Sequence, residues 1–195
     1  MDYKAVLGLL AIVVGFIGYV PYLRDIFGNK TKPHAFSWLV WGVLTAVAFG
    51  GQIAGKAGAG AWVTGVTALV CLMIFILSLS KGVKDFPLAD WLCLLGAVFS
   101  LGLWALTKNP LTAIVLITVI DMLAFIPTFR KSYTEPYSET SFTYMMSGLK
   151  FLIGLFALQN YSWVTGLYPV SLVITNAAFV SMLNTRRRRI TLADS

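Results

Sequence analysis

The stretch Gly18-Tyr19-Val20-Pro21-Tyr22-Leu23-Arg24, running on to Lys30-Thr31-Lys32-Pro33, is written a second time in this chain. The copy is Ala124-Phe125-Ile126-Pro127-Thr128-Phe129-Arg130, running on to Tyr133-Thr134-Glu135-Pro136. Each version has a Pro near the end of an apolar span, an Arg three residues later, and then a Thr-x-Pro. Downstream, Trp62-Val63-Thr64-Gly65 recurs as Trp163-Val164-Thr165-Gly166. The offsets are about 106, 103 and 101 residues, which describes one unit of roughly a hundred residues repeated with small deletions in its loops. Internal repeats of this kind are a building plan of membrane bundles.

Composition names the solvent. The chain is 58% hydrophobic and 12% charged, with mean hydropathy +0.80. Soluble domains carry about 25% charge, so this chain lacks the polar surface to sit in water. Its apolar spans are each long enough to cross ~30 Å of hydrocarbon at ~20 residues apiece. Backbone groups in a bilayer must be satisfied within the span, which predicts an all-α membrane protein. Alternating strands of about ten residues, the mark of a barrel, are not seen.

Seven transmembrane helices are expected at about 5–23, 35–54, 61–80, 88–106, 111–129, 140–158 and 162–183, joined by Gly-, Pro- and Lys-rich connections. The repeat divides them into two parallel three-helix repeats joined by a linker helix, a 3+1+3 plan. The parts are 1–84 (first repeat), 85–108 (linker helix), 109–185 (second repeat) and 186–195 (basic cytoplasmic tail). The first span is read as a retained helix, since no small-residue cleavage site follows Pro21. Cys71 and Cys93 fall within predicted spans, and no disulfide is needed.

Basic residues set the orientation. Arg24, Lys30, Lys32, Lys81, Lys84, Arg130, Lys131 and Arg186 to Arg189 fall on one side; Lys4, Lys56 and Lys108 fall on the other. This bias predicts a multi-pass protein of the inner (plasma) membrane with its N-terminus outside and its C-terminus cytoplasmic. It also accounts for the net charge of +7 without a nucleic-acid partner.

On these residues the chain resembles the PQ-loop and SWEET/SemiSWEET group of membrane proteins. The resemblance rests on Pro21 and Pro127, the basic loop after each, the Thr-x-Pro leading into the next helix, and the 3+1+3 layout. Tyr22 and Thr128 stand where the Gln that names the PQ-loop would be. The segment Thr31 to Trp41 is similar to bacterial relatives of this group that carry no assigned substrate. The resemblance implies alternating access, with Pro21 and Pro127 as hinges and a pocket near the midplane between two bundles.

Asp121 and Lys150 are charged residues deep inside predicted spans. At ~1.5 Å per residue they lie ~16 Å and ~12 Å from the outer ends of helices 5 and 6. A charge at mid-bilayer costs on the order of 3 kcal/mol and faces a bundle interior. The pair is expected to form an ion bridge or to share a polar cavity, either as a site or as a static brace. Asn176 is mid-span in helix 7, where the resembled group carries a pocket Asn. The repeat mates of Asp121, Lys150 and Asn176 are Gly15, Val47 and Phe75. Trp38, Trp41 and Trp104 could stack on a planar ligand or simply pack. Trp62, Trp91 and Trp163 lie at span ends, as interface residues do. His34, the single histidine, is expected in a loop. Gly42, Ala46 and Gly50 recur every four positions and permit close helix contact, within the bundle or across a homodimer.

No nucleotide loop, zinc signature or nucleophile elbow occurs. The reading is therefore no enzyme, with no catalytic residues, no metal and no cofactor. The expected function is a carrier or facilitator for a small polar solute, a sugar, an amino acid or a small acid. Substrate-binding candidates are Asp121, Lys150, Asn176, Trp38 and Trp41. The alternative is a non-transporting receptor or assembly factor on the same fold.

Overall fold

The computed structural model describes residues 2–29, 33, 35–82, 88–134, 136–137 and 139–193. The side chains of 89, 90, 127, 131 and 191–193 are outside that description, as are His34, Lys30, Lys32 and Lys84 altogether. The described residues are helical with no strand. Seven α-helices follow in order: α1 (Tyr3–Phe27), α2 (Ala35–Ala54), α3 (Trp62–Lys81), α4 (Leu88–Thr107), α5 (Pro110–Thr134), α6 (Ser141–Phe156) and α7 (Trp163–Ala193). A 3₁₀ turn, Gly58–Ala61, leads into α3.

These helices are apolar nearly all round, which is the pattern of a membrane span rather than of a surface helix. Val13, Phe16, Ile17 and Val20 of α1 and Leu92, Leu95 and Phe99 of α4 all stay exposed. Among the described residues, five helical segments are long and apolar enough to cross a bilayer: α1, α2, α3 with its 3₁₀ lead-in, α5 and α7. The apolar stretches Trp91–Thr107 of α4 and Ser141–Phe156 of α6 are shorter. Helix ends follow local chemistry. The carboxylate of Asp2 accepts the Lys4 N–H at 3.3 Å and caps α1. Asn29, Lys56 and Lys108 take the left-handed conformation just past α1, α2 and α4, as residues closing a helix do.

Packing places α3 against both α1 and α2, and α7 against both α5 and α6. The two groups meet where α1 packs on α6 and α2 packs on α5, which closes a ring of six helices. Helix α4 lies outside the ring on α2 and α5. Small residues permit these contacts. Gly42 lies against Leu72 of α3, and Gly50 against Trp104 of α4. Ala46, between them, is exposed, so the small-residue stripe serves two separate contacts within the chain. Cys71 and Cys93 are not joined in a disulfide.

Two helices run further than the sequence suggested: α1 continues six residues past Pro21 and α5 seven past position 127. Loss of one backbone hydrogen bond weakens a turn, but packing on both sides carries the helix through. Arg186 to Arg189 continue α7. Arginine is a good helix former, and two of the four find partners. Arg186 Nε donates to Tyr133 O at 3.0 Å. Arg187 donates to Pro136 O (2.9 Å), Ser141 Oγ (3.1 Å) and Glu139 O (2.6 Å), and so holds the connection between α5 and α6.

Candidate functional site

A cavity of about 580 Å³ lies inside the ring, walled by α1, α2, α3, α5, α6 and α7. Its mouth is at the end where α1 and α5 finish and α2 and α6 begin, marked by Asp25, Tyr22, Glu139 and Thr140. Its floor is at Gly15, Thr67, Lys150 and Phe151. The opposite end of the bundle is closed. There Lys4 Nζ donates to Leu158 O at 2.6 Å and stands 5.5 Å from the Tyr161 ring centre. Gln159 N donates to Ala57 O (2.9 Å), Asn160 Nδ2 to Gly55 O (2.9 Å) and Gln52 Nε2 to Thr165 O (3.1 Å). Every one of these bonds joins the first half of the chain to the second. Gly60 lets the strands of chain meet: a Cβ there would fall 2.8 Å from the backbone N and Cα of Leu158.

All five binding candidates line this one cavity: Asp121, Lys150, Asn176, Trp38 and Trp41. Pro21 lines it as well. The side chain of Pro127 and the whole of His34 lie outside the described residues. Trp104 is elsewhere, packed beside Gly50 on the outer face of α2.

Lys150 is 2% exposed and Asp121 5%. They share the cavity without pairing, since no nitrogen–oxygen approach within 4.0 Å joins them. Chain neighbours α5 and α6 are not packing neighbours, because α6 packs on α1 and α7. The two side chains come from different walls, Asp121 from α5 and Lys150 from α6. Lys150 Nζ donates to Tyr19 Oη at 2.9 Å and to Thr67 Oγ1 at 3.0 Å, and lies 4.9 Å from the Phe151 ring centre. Thr67 Oγ1 donates its own hydrogen bond to Val63 O at 2.7 Å, so toward the lysine its oxygen is the acceptor. Asp121, on the α5 wall, has the Tyr168 hydroxyl as its polar side-chain neighbour.

Gly15 makes the lysine's placement possible. A Cβ at that position would stand 3.1 Å from Lys150 Cδ, so any larger residue would press on the side chain where it crosses α1. Asn176 donates Nδ2 to Leu172 O at 2.8 Å, one turn back along α7, and lines the cavity.

Toward the mouth the walls become aromatic. On the first-half side Trp38 packs edge-on against Trp41 (5.4 Å) and at a tilt against Tyr22 (5.3 Å), and its Nε1 donates to Tyr22 Oη at 3.2 Å. On the second-half side Phe125 packs against Tyr144 (5.8 Å) and Phe179 (5.3 Å). With Trp38 Nε1 and the hydroxyls of Tyr22 and Tyr144 engaged, these rings present apolar faces.

Comparison with known proteins finds no matching family model, curated protein or solved structure.

Sequence reasoning did not single out Tyr19, Thr67 and Tyr168, and it met Gly15 only as the repeat mate of Asp121. A signal for them existed in the repeat. Gly15 is the mate of Asp121, and at the offset of 101 Thr67 is the mate of Tyr168. Among the described residues no cluster of three His, Cys, Asp or Glu side chains could hold a metal ion.

Proposed function

We propose that this protein is a membrane carrier for a small polar solute, and that it works by alternating access between two three-helix units. In this reading all seven helices span the membrane. The units α1–α3 and α5–α7 are parallel repeats, α4 is the linker that restores chain direction, and the mouth faces the cytoplasm by the basic-residue bias.

One observation carries the reading: a polar cavity between the two units, open at one end and sealed at the other by hydrogen bonds that all cross between units. A carrier needs a central site reached from one side at a time. The volume falls within the usual 300–1,000 Å³ of small-molecule sites. The contact pattern supports the repeat, because α3 stands to α1 and α2 as α7 stands to α5 and α6. It also supports rocking, because the units meet reciprocally through α1–α6 and α2–α5. Pro21 lies on the cavity wall within α1, where a weakened turn allows a helix to bend.

The test is exchange flux in proteoliposomes loaded with mixed sugars, amino acids or small acids and challenged with the same labelled class outside. Saturable exchange for one class, lost in Asp121→Asn, is the expected result. Ligand binding by the purified protein with no exchange of any class would overturn the carrier and leave a receptor.

A further inference from the structure

Below the mouth, where Asp25 and Glu139 stand, the cavity wall holds one carboxylate, Asp121, and one ammonium, Lys150, that are kept apart, and this says more about the solute than polarity alone. Lys150 is anchored by two neutral hydroxyls, Tyr19 and Thr67, and among the described residues no carboxylate lies within 4.0 Å of it. Among the same residues no cation lies within that distance of Asp121. Two buried charges of opposite sign that do not meet are each costly in a low-dielectric site. The arrangement is relieved when a ligand brings the complementary charges to both.

A neutral sugar would leave both charges uncompensated. A monocarboxylate would satisfy Lys150 alone, and a simple amine Asp121 alone. A ligand with both groups on one short skeleton would satisfy the two together. The aromatic walls add direction. Lys150 and Asp121 lie deep, whereas Trp38, Tyr22 and Tyr144 lie within a turn or two of the helix ends at the mouth. A charged head seated at the floor would leave its tail among these rings.

We infer that the solute is a zwitterionic amino acid with a large apolar or aromatic side chain, held by its carboxylate on Lys150 and its ammonium on Asp121. This rests on the carrier reading for its consequence in transport, but it concerns binding and is tested without flux.

The probes are phenylalanine, 3-phenylpropionate (which lacks the ammonium), phenethylamine (which lacks the carboxylate) and glucose. Each is titrated by calorimetry into the detergent-purified full chain. Phenylalanine is expected to bind about tenfold or more tightly than either single-charge analogue, because each lost charged contact leaves a buried partner unpaired. Glucose is expected not to bind.

Asp121→Asn should erase the advantage of phenylalanine over 3-phenylpropionate. Lys150→Met should erase its advantage over phenethylamine. The ligand series on the unaltered protein decides the matter even if a variant fails to fold. Equal binding of phenylalanine and one single-charge analogue would overturn the proposal, as would binding of glucose alone or of none of the four. Selective binding of phenylalanine with no exchange in proteoliposomes would keep the ligand assignment and remove the carrier.

Discussion

Lys4→Met tests whether the closed end is a gate. Lys4 reaches from the first turn of α1 to the last free carbonyl region of α6, where Nζ donates to Leu158 O at 2.6 Å. A hydrogen bond from a charged donor contributes about 1.5–3 kcal/mol, and partial exposure of this one lowers that to about 1–2 kcal/mol. If alternating access holds, the bond exists only while this end is closed. Its loss then raises the closed state by the same amount and leaves the opposite state unchanged, which shifts the ratio of states about 5- to 30-fold. Methionine retains the length and the apolar stem, so packing beside Tyr161 is largely kept. The assay places one cysteine at Ser147, on the cavity wall, in a chain with Cys71 and Cys93 replaced by alanine. A membrane-impermeant thiol reagent is then applied from the sealed side. Labelling should accelerate about 5- to 30-fold with Lys4→Met, in proportion to the population shift. Unchanged labelling together with a lowered melting temperature would refute the gate, because the bond would then be a static brace.

Three further substitutions probe other parts of the bundle. Gly60→Ala drives a methyl to 2.8 Å from the Leu158 backbone, where no side chain can move aside. It should cost about 1–3 kcal/mol, read as a lower unfolding temperature in a thermal scan. Arg187→Gln removes a guanidinium that serves three acceptors between Pro136 and Ser141. Hydrogen exchange across that connection should rise about tenfold or more, with little change at the sealed end. Gly15→Asp should place a carboxylate beside the stem of Lys150 and create an internal ion pair. Ligand affinity measured by calorimetry should fall about tenfold or more, since Lys150 is then no longer free to meet a ligand carboxylate.

The seven helices were legible because apolar runs alternate with Gly, Pro and Lys clusters, and each expected span has its helix. Length at the ends was not. The expected limits at 23 and 129 fell short: a helix held on several sides survives the loss of one bond at a proline, and α1 and α5 run on to Phe27 and Thr134. Asp121 and Lys150 stood out as charges in apolar spans, and their depths could be counted. Depth along a helix says nothing of direction around it, and chain adjacency of α5 and α6 suggested a contact that the ring order does not make. The hydroxyls that hold Lys150 were hidden for the same reason: Tyr19 and Thr67 are 131 and 83 residues away in sequence.

The asymmetry of the repeat explains how one cavity can hold two separated charges. Duplication of a unit begins with like residues at matched positions, so an acid on α5 implies an acid on α1, and a base on α6 a base on α2. Four matched charges in one cavity would pair across the α1–α6 and α2–α5 contacts, leaving none for a solute. This chain has instead Gly15 opposite Asp121 and Val47 opposite Lys150 in the repeat. Gly15 is the decisive member, because Lys150 Cδ already occupies the space beside it and a carboxylate there would be the lysine's nearest partner. Thr67 and Tyr168 diverge to match, the shorter one taking the lysine and the longer one standing beside the aspartate. The first half thus supplies space and neutral acceptors, and the second half supplies both charges. A structural ion bridge would favour the opposite arrangement, with acid and base facing each other on packed helices. The cost of keeping Asp121 and Lys150 buried and apart is physically intelligible when something else completes them.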